Sequence, residues 1–555
     1  MTTRFDPVTL ELLWTRLVSI VDEAAAALLR TSFSVIVRES HDFACVLTDA
    51  RGHSLVQATD GVPSFLCTTP RTIGHFLKEF PPETLREGDI LITNDIWLGT
   101  GHLPDITVAK PIFLNGRLMA FAGSVAHAPD IGGRIRTAES REVYEEGLQI
   151  PIMKVVREGT IDDTFVRFLR KNTRVPDQVM GDLYAQFTAL DLMERRLRGL
   201  LVEHGMDDLV ELADEIQSRS EQATRKAIRA VPDGVYHAEV VTDGLEQPIR
   251  LKLALHKQGD SIMADYAGTD PQVPRGINVC LAYTMAYTAF AVKAALCPEV
   301  PNNEGAFRPI TVSAPLGCIL NSTPPAAGAN RALTGHFIPP MILQALAGAL
   351  PDRVIAGVGS PLWSLNFAGV RADGSPIANQ FFMNGGYGAG AAHDGANVLS
   401  WPSNVSAAPV EMIEQGAPFR IRHRRLRVDT GGTGEHRGGT GQEWAFESRS
   451  ATPVAITFMA ERTRQEAAAP GLAGGGAGAP GGVLIDGVLV DPKRQHILAP
   501  GSTVELRTPG GGGYGDPAQR DAALAAQDIE DGLVRSTADD SVRSTTDDRV
   551  TEKQA

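Results

Sequence analysis

The stretch VAKPIFLNGRLMAFAGSVAH, residues 108–127, is two apolar runs joined at Asn115-Gly116. Asn-Gly between such runs is a strong hairpin signal, because both central residues of a type I′ turn need φ > 0. No other feature constrains the fold as much. It commits this part of the chain to antiparallel strands, with the residues entering the first strand beside those leaving the second. The entering segment is TGHLPDITVAK, where His102 stands three residues before Asp105 around Pro104; the leaving segment is SVAHAPDIGG, where His127 and Asp130 repeat the spacing around Pro129.

Neutral imidazole and carboxylate together suit a divalent first-row metal. If the two segments lie on adjacent strands, His127 closes a site begun by His102 and Asp105, and Asp42 in ESHDFAC is a further candidate ligand from a third segment. Three or four protein ligands leave a position open for water or substrate, as metal-assisted hydrolysis requires. The alternative stays open that the histidines cap turns and the aspartates make Asx-turns.

At 555 residues the chain is too long for one ordinary core. We expect an α+β multidomain architecture of mixed, β-rich sheets with flanking helices and no Rossmann or P-loop domain. Residues 1–230 form an N-terminal α+β domain with the candidate metal site, 231–515 a β-rich second domain with inserted helices, and 516–555 a C-terminal helix and tail. Asp6-Pro7 is a helix start, and Leu10, Leu13, Leu17, Ile20, Val21 and Ala24 follow at helical spacing to about Arg30. Short apolar runs broken by Gly, Pro and Asp then continue to about Lys154, including a hairpin around Asp49–Gly52. Residues from about Ile161 to Ala230 have helical periodicity, with a stop at Gly205. Beyond them come strands separated by Asp-Gly and Gly-Asp turns, helices over 281–297 and 333–350, and glycine-rich loops alternating with strands after residue 420. The near-repeat VRSTADD/VRSTTDD at 534–548 is polar and lacks aromatics, which predicts disorder.

A net charge of −14 argues against a nucleic-acid or anionic-membrane partner. The N-terminus lacks a basic patch followed by an apolar run, and LAYTMAYTAFAVKAAL from Leu281 is short for a bilayer and carries Lys293. Five scattered cysteines form neither a disulfide framework nor a thiolate zinc site. These features point to a soluble protein of the reducing cytoplasm. Cys45 and Cys67 are expected to be buried and apolar. There is no GxxxxGK[ST] and no GxSxG. The GxGxxG matches at Gly476/Gly478/Gly481 and Gly510/Gly512/Gly515 lack a βαβ context, so the glycines are taken as turns, with GGTGEHRGGTG at 431–441 the stretch best placed to approach a ligand. His336 and His393-Asp394 lie in glycine-bracketed loops and are more often structural than catalytic.

Several segments together resemble the hydantoinase B/oxoprolinase family: ESHDFACVLTD, GDILITNDIWLGTGHLPDITVAKPIF, YEEGLQIP, NTRVPDQVMGDLYAQ, PNNEGAFRPITVSAPLGCILN, LRVDTGGTGEHRGGTG and TPGGGGYGDP. They occur in order from about residue 6 to residue 517, and the length suits a hydantoinase B-type subunit. The resemblance implies one subunit of a hetero-oligomeric, ATP-dependent amidohydrolase opening a cyclic amide such as a hydantoin, 5-oxoproline or another lactam. A hydantoinase A-type partner would bind ATP and phosphorylate the substrate. This chain would carry the divalent metal (Zn, Mn or Fe) on His102, Asp105, His127 and Asp42; Glu39, Asp130 and Glu146 are candidate base or supporting carboxylates by their proximity to these ligands in the sequence. Two other readings are a subunit of an ATP-dependent ketone carboxylase and a non-catalytic scaffold for the ATP-binding partner. Many relatives carry histidines where this chain has Gly61 and Phe65; Phe65 and Trp97 are expected to make the pocket more apolar.

Overall fold

A computed structural model describes residues 5–536 apart from Ala372, so most of the repeat expected to be disordered lies outside the described residues. The architecture is α+β, with several antiparallel sheets and flanking helices. The first sheet has seven strands: β1 (Phe43–Asp49), β2 (Ser54–Gln57), β3 (Ile90–Thr93), β4 (Asp105–Leu114), β5 (Arg117–His127), β6 (Met153–Arg157) and β7 (Thr160–Ile161), in the order β2-β1-β5-β4-β3-β6-β7. The expected turn is present, with φ of 52° at Asn115 and 76° at Gly116.

Both faces of this sheet are buried. Phe43, Cys45 and Leu47 of β1 join the cluster formed with helices α1 (Pro7–Thr31) and α5 (Pro176–Glu203), while Ala44 and Val46 join a second cluster on the opposite face. A strand covered on both sides needs apolar residues at every position, which is why FACVL does not alternate. The Asp6 side chain caps α1 by accepting from the amides of Val8 at 3.0 Å and Thr9 at 3.1 Å.

The helical stretch after residue 161 is α4 (Asp163–Asn172), α5 and α6 (Val210–Arg229), and α5 stops before Gly205 at φ 58°. The short helix α2 (Val35–Arg38) and the longer α3 (Pro63–Glu79) were not expected. In α3, Pro63 occupies the first turn, where no amide is needed. Its threonines mask the helical pattern but satisfy themselves along the axis: Thr68, Thr69 and Thr72 each donate to a carbonyl four residues back.

The remaining sheets follow the strands expected after residue 230. β8 (Gly234–Thr242), β9 (Ile249–Gln258), β10 (Ser261–Asp265) and β11 (Ile310–Ser313) form one; β10 with β11 is the parallel pair among the described residues, so no doubly wound sheet arises. β12 (Trp363–Val370), β13 (Pro376–Met383), β16 (Val454–Met459) and β19 (His496–Leu498) form a third, in the order β13-β12-β16-β19. β14 (Phe419–Leu426), β15 (Gln442–Ser448), β17 (Gly482–Ile485), β18 (Val488–Leu489) and β20 (Thr503–Arg507) form the last. Helix α7 (Leu281–Leu296) packs on α3 and on α10 (Ile338–Leu346). Short helices α8 (Glu304–Phe307), α9 (Ala332–Gly335) and α11 (Val410–Gly416) lie in connections, and α12 (Ala522–Glu530) follows the last strand. A single apolar cluster runs from Ile36 on α2 through α7 and α10 to Met459 on β16.

The glycine-rich segments correct the expectation of turns. Gly510–Gly513 run extended between other backbones. Their amides donate to the carbonyls of Ala479, Gly439, Gly357 and Gly476 at 2.7–3.0 Å, and the carbonyls of Gly511, Gly512 and Gly513 accept from Gly432, Ala389 and Leu472 at 2.8–3.0 Å. A Cβ at Gly511 would stand 2.2 Å from the Tyr387 carbonyl oxygen, and one at Gly438 would stand 2.0 Å from that of Gly511. These glycines, including those of 431–441, exist so that backbones can touch backbones. The 431–441 stretch approaches its own chain.

Candidate metal centre

Hairpin register builds the site. Asp105, the first residue of β4, pairs directly with His127, the last of β5. On the far side of β5, Asp42 precedes β1, whose Phe43 pairs with Ala126, and the His127 amide donates to the Asp42 carbonyl at 3.0 Å. His102 arrives through Gly101, whose φ is 92° and whose missing Cβ would stand 2.8 Å from Arg331 Cδ. A side chain there would block both the turn and the arginine.

Ligand atoms of His102, Asp105 and His127 lie within 4.8 Å of one another, and all three residues are buried. His102 Nε2 is 2.7 Å and His127 Nδ1 is 2.9 Å from the same oxygen, Asp105 Oδ1, while Asp42 Oδ2 is 3.8 Å from His127 Nδ1. The Ala329 carbonyl, 3.0 Å from His102 Nδ1, can only accept, so Nδ1 carries the proton. Burial, reinforced by the charges of Arg331 and Arg136, holds His102 neutral, its pKa well below the usual imidazole value. Its Nε2 is therefore a bare lone pair, buried and without a hydrogen-bond partner, aimed at an ionised oxygen 2.7 Å away. Two such lone pairs repel unless a cation lies between them. Neutral imidazole with its other nitrogen tied to a carbonyl, next to a carboxylate, is also the protonation state that metal ligation demands. The residues present fit a divalent ion.

Burial works against the Asp105 carboxylate, but the Arg331 guanidinium and His127 outweigh it and keep the group ionised; Arg331 Nη2 donates to Asp105 Oδ2 at 2.8 Å and His127 Nδ1 lies 2.9 Å from Oδ1. Asp42 is different. Burial pushes its carboxyl up to about 6, His127 opposes this, and the neighbouring Asp105 adds to it. A cavity lined by these four residues is bounded by Arg136, Tyr283, Tyr287, Arg331 and His336, and by the apolar side chains of Phe65, Leu362, Phe382 and Met459. Phe65 thus lines it as expected. Trp97 does not, packing instead between the two large apolar clusters.

The other carboxylates singled out in the sequence lie around the centre. Glu146 accepts the amides of Ala329 at 2.8 Å and Gly328 at 3.2 Å and so fixes the loop that orients His102; burial pushes its carboxyl up to about 7. Asp130 is engaged by Arg174, whose Nη1 donates at 2.6 Å. Glu39 accepts from Arg38 Nε at 2.9 Å and is not among the cavity residues. His336, treated as more often structural, lines the cavity, with Nε2 3.2 Å from the Tyr287 hydroxyl and Nδ1 accepting the Leu362 amide at 3.3 Å. His393 is exposed and bonds the Asp394 carbonyl. Arg136, Arg331, Tyr283 and Tyr287 were missed. Of these, Arg331 had a local signal in GANRALTGH, where a glycine-bracketed arginine stands five residues before His336. Cys45 is buried and Cys67 partly so, and burial pushes both thiols up to about 12.

A hairpin end carrying two imidazoles and a carboxylate, inside an α+β chain without a phosphate loop, is the frame in which the comparisons fit. The chain belongs to the hydantoinase B/oxoprolinase family, whose model matches residues 6–517. A relative from Pseudomonas sp. strain NS671, provisionally named as the B component of a D-/L-hydantoinase, is 29% identical over 562 residues, covering 96% of this chain and 93% of that one. The crystal structure of the ATP-dependent caprolactamase from Pseudomonas jessenii superposes with a TM-score of 0.86 at 27% identity, covering 96% of this chain and 95% of that one. Nucleotide-free acetone carboxylase shares the fold, with a TM-score of 0.86 at 20% identity over 96% of this chain and 78% of the other. Among the described residues no helix is long and apolar enough to cross a membrane.

Proposed function

We propose that this chain is the metal-bearing subunit of a two-component, ATP-dependent amidohydrolase that opens a cyclic amide. The observation that carries the reading is the bare His102 Nε2 facing Asp105 Oδ1 at 2.7 Å in a buried pocket. The family membership supports it, as do the relatives named as a hydantoinase component and a caprolactamase. An amide is a poor electrophile until its oxygen is made a leaving group. With no phosphate loop in this sequence, that step falls to a hydantoinase A-type partner that binds ATP.

His102, Asp105 and His127, with Asp42 beside them, would hold the divalent cation, of the Zn, Mn or Fe kind. When bound, it supplies Lewis acidity and lowers the pKa of water at the site. The remaining work belongs to side chains. Arg331 keeps Asp105 ionised and oriented. The Ala329 carbonyl, braced by Glu146, fixes the tautomer of His102. Asp42 offers the centre a further carboxylate from the residue preceding β1, its carboxyl raised to about 6 by burial before a cation binds. Phe65, Leu362, Phe382 and Met459 offer the methylenes of a lactam an apolar wall and exclude bulk water.

The test is co-expression with an A-type partner, metal analysis of the purified complex and a screen of cyclic amides for ATP-dependent ring opening. We expect about one divalent ion per chain, lost in His102→Ala together with ring opening. Full turnover by a metal-free preparation would sink the reading. ATP consumption that requires bicarbonate and a ketone would replace it with the carboxylase.

A further inference from the structure

Two guanidinium groups border the centre, and their surroundings differ. Arg331 has a carboxylate, Asp105. Arg136 has no carboxylate within hydrogen-bond distance among the described residues: its Nε donates to the Ala329 carbonyl at 2.8 Å and its Nη2 reaches the Met459 sulfur, at 3.8 Å. Arg136 borders both the central cavity and an adjoining one that shares His127 with it. The adjoining cavity also contains Gln380, which is 4% exposed and whose Nε2 is buried without a partner. Two carboxylates border this cavity, and both are taken: Asp130 by Arg174, and Glu146 by the amides of Gly328 and Ala329. What remains unfilled is hydrogen-bond donation.

The Arg136 guanidinium is half-buried and hydrogen-bonded to none of the described carboxylates, with Asp42, Asp105 and Glu146 acting on it only at longer range. Burial and the like charge of Arg331 pull Arg136 down to about 10, against the opposing charges of Asp105 and Asp42. A cation on the neighbouring ligands would make the field still more positive. We propose that Arg136 and Gln380 form a site for a tetrahedral oxyanion beside His127, where the phosphoryl group of the activated substrate is held. The ligand's identity rests on the function proposed above; the anion chemistry does not. Arg136 is suited to it because a planar guanidinium gives two parallel N–H donors to two oxygens of one phosphoryl group.

The test is calorimetric titration of the full-length chain, metal-loaded and chelator-treated, with inorganic phosphate and with methyl phosphate at constant ionic strength. Both anions are expected to bind in both preparations. Arg136→Gln should weaken both by about tenfold or more, and Gln380→Leu by about threefold, with metal content unchanged in each. Should Arg136→Gln fail to fold, Gln380→Leu and the wild-type chain still decide. Binding unaffected by either substitution, or confined to inorganic phosphate, would overturn the proposal. Arg136-dependent binding to a chain that takes up no metal would sustain it while removing the function proposed above; a metal-loaded chain that ignores phosphate would do the reverse.

Discussion

The hairpin end at His102–His127 and the glycine segments around Gly510 are both close-packed, but they are built from opposite materials. In the first, side chains meet: two imidazoles, two carboxylates and a guanidinium converge within a few ångströms, and the backbone serves to aim them. In the second the side chains are deleted, and amides and carbonyls from segments distant in sequence bond directly, as in Gly511 to Gly439 and Gly512 to Gly357. The difference teaches where each region can vary. A side-chain site tolerates exchange of a residue at the cost of its chemistry. A backbone contact tolerates nothing with a Cβ, and its failure is one of folding.

The sharpest way to break that contrast is Gly511→Ala. The added methyl would stand 2.2 Å from one carbonyl oxygen and 2.5 Å from its carbon, with no flexible side chain to yield. We expect a loss of at least about 4 kcal/mol, read as failure of soluble expression or a collapse of Tm. A near-native Tm would show that the segments can part without cost. The next effect in size belongs to the other region. Asp105→Asn keeps the shape but leaves the buried Arg331 without its counter-charge, an imbalance worth about 3 kcal/mol in urea unfolding. It should also abolish metal uptake. Unchanged stability would mean that Arg331 finds another anion.

Much of the hairpin end was legible because local chemistry wrote it. Asn115-Gly116 set the turn, but the turn's own register would put Asp105 opposite Ala126; an irregularity between Ile112 and Phe113 shifts the pairing by one residue and brings Asp105 opposite His127. What escaped has a physical cause in each case. Arg331 reaches the centre from a loop more than two hundred residues from Asp105, and Arg136, though only nine residues after His127, lies in an irregular loop where no periodicity points it at the site. Helix α3 was hidden by Pro70 and a run of threonines, residues with poor intrinsic helix preference, and tertiary burial of Phe65, Ile73 and Phe76 overrides that preference. The glycines were misjudged for another reason: turn chemistry and backbone contact require the same residue, and the sequence alone does not say whether a neighbouring backbone is in contact.

A pH series sharpens the comparison through Glu146, which braces the loop behind His102. Burial raises its carboxyl from 4.5 to about 7 in the folded chain, so the folded state binds the proton more tightly than the unfolded state between those values. The sign follows from linkage: the contribution is fully present below about pH 4.5 and is lost as pH rises through about 7. Tm should therefore fall between pH 5 and pH 8, and Glu146→Gln should flatten part of that slope. Glu461, pushed up to about 7 by burial, despite its contact with Lys493, supplies a slope of the same sign that the variant keeps. A variant whose pH profile overlays the parent's would mean that Glu146 is ionised in the folded chain.

The smallest effect isolates what glycine does. Gly116 has φ 76°, but a Cβ there would meet nothing within 4 Å. Gly116→Ala therefore tests conformation alone, where Gly511→Ala tests contact alone. An alanine held in the left-handed region costs about 1 kcal/mol, with no clash to add. The hairpin should keep its register, since Asn115 also occupies the left-handed region and the strands beyond it remain paired from Asp105 to Leu114. Metal uptake at the far end should accordingly be unchanged while Tm drops by a few degrees. A loss at Gly116 comparable with that at Gly511 would mean that backbone conformation accounts for both, and the distinction between the two regions would disappear.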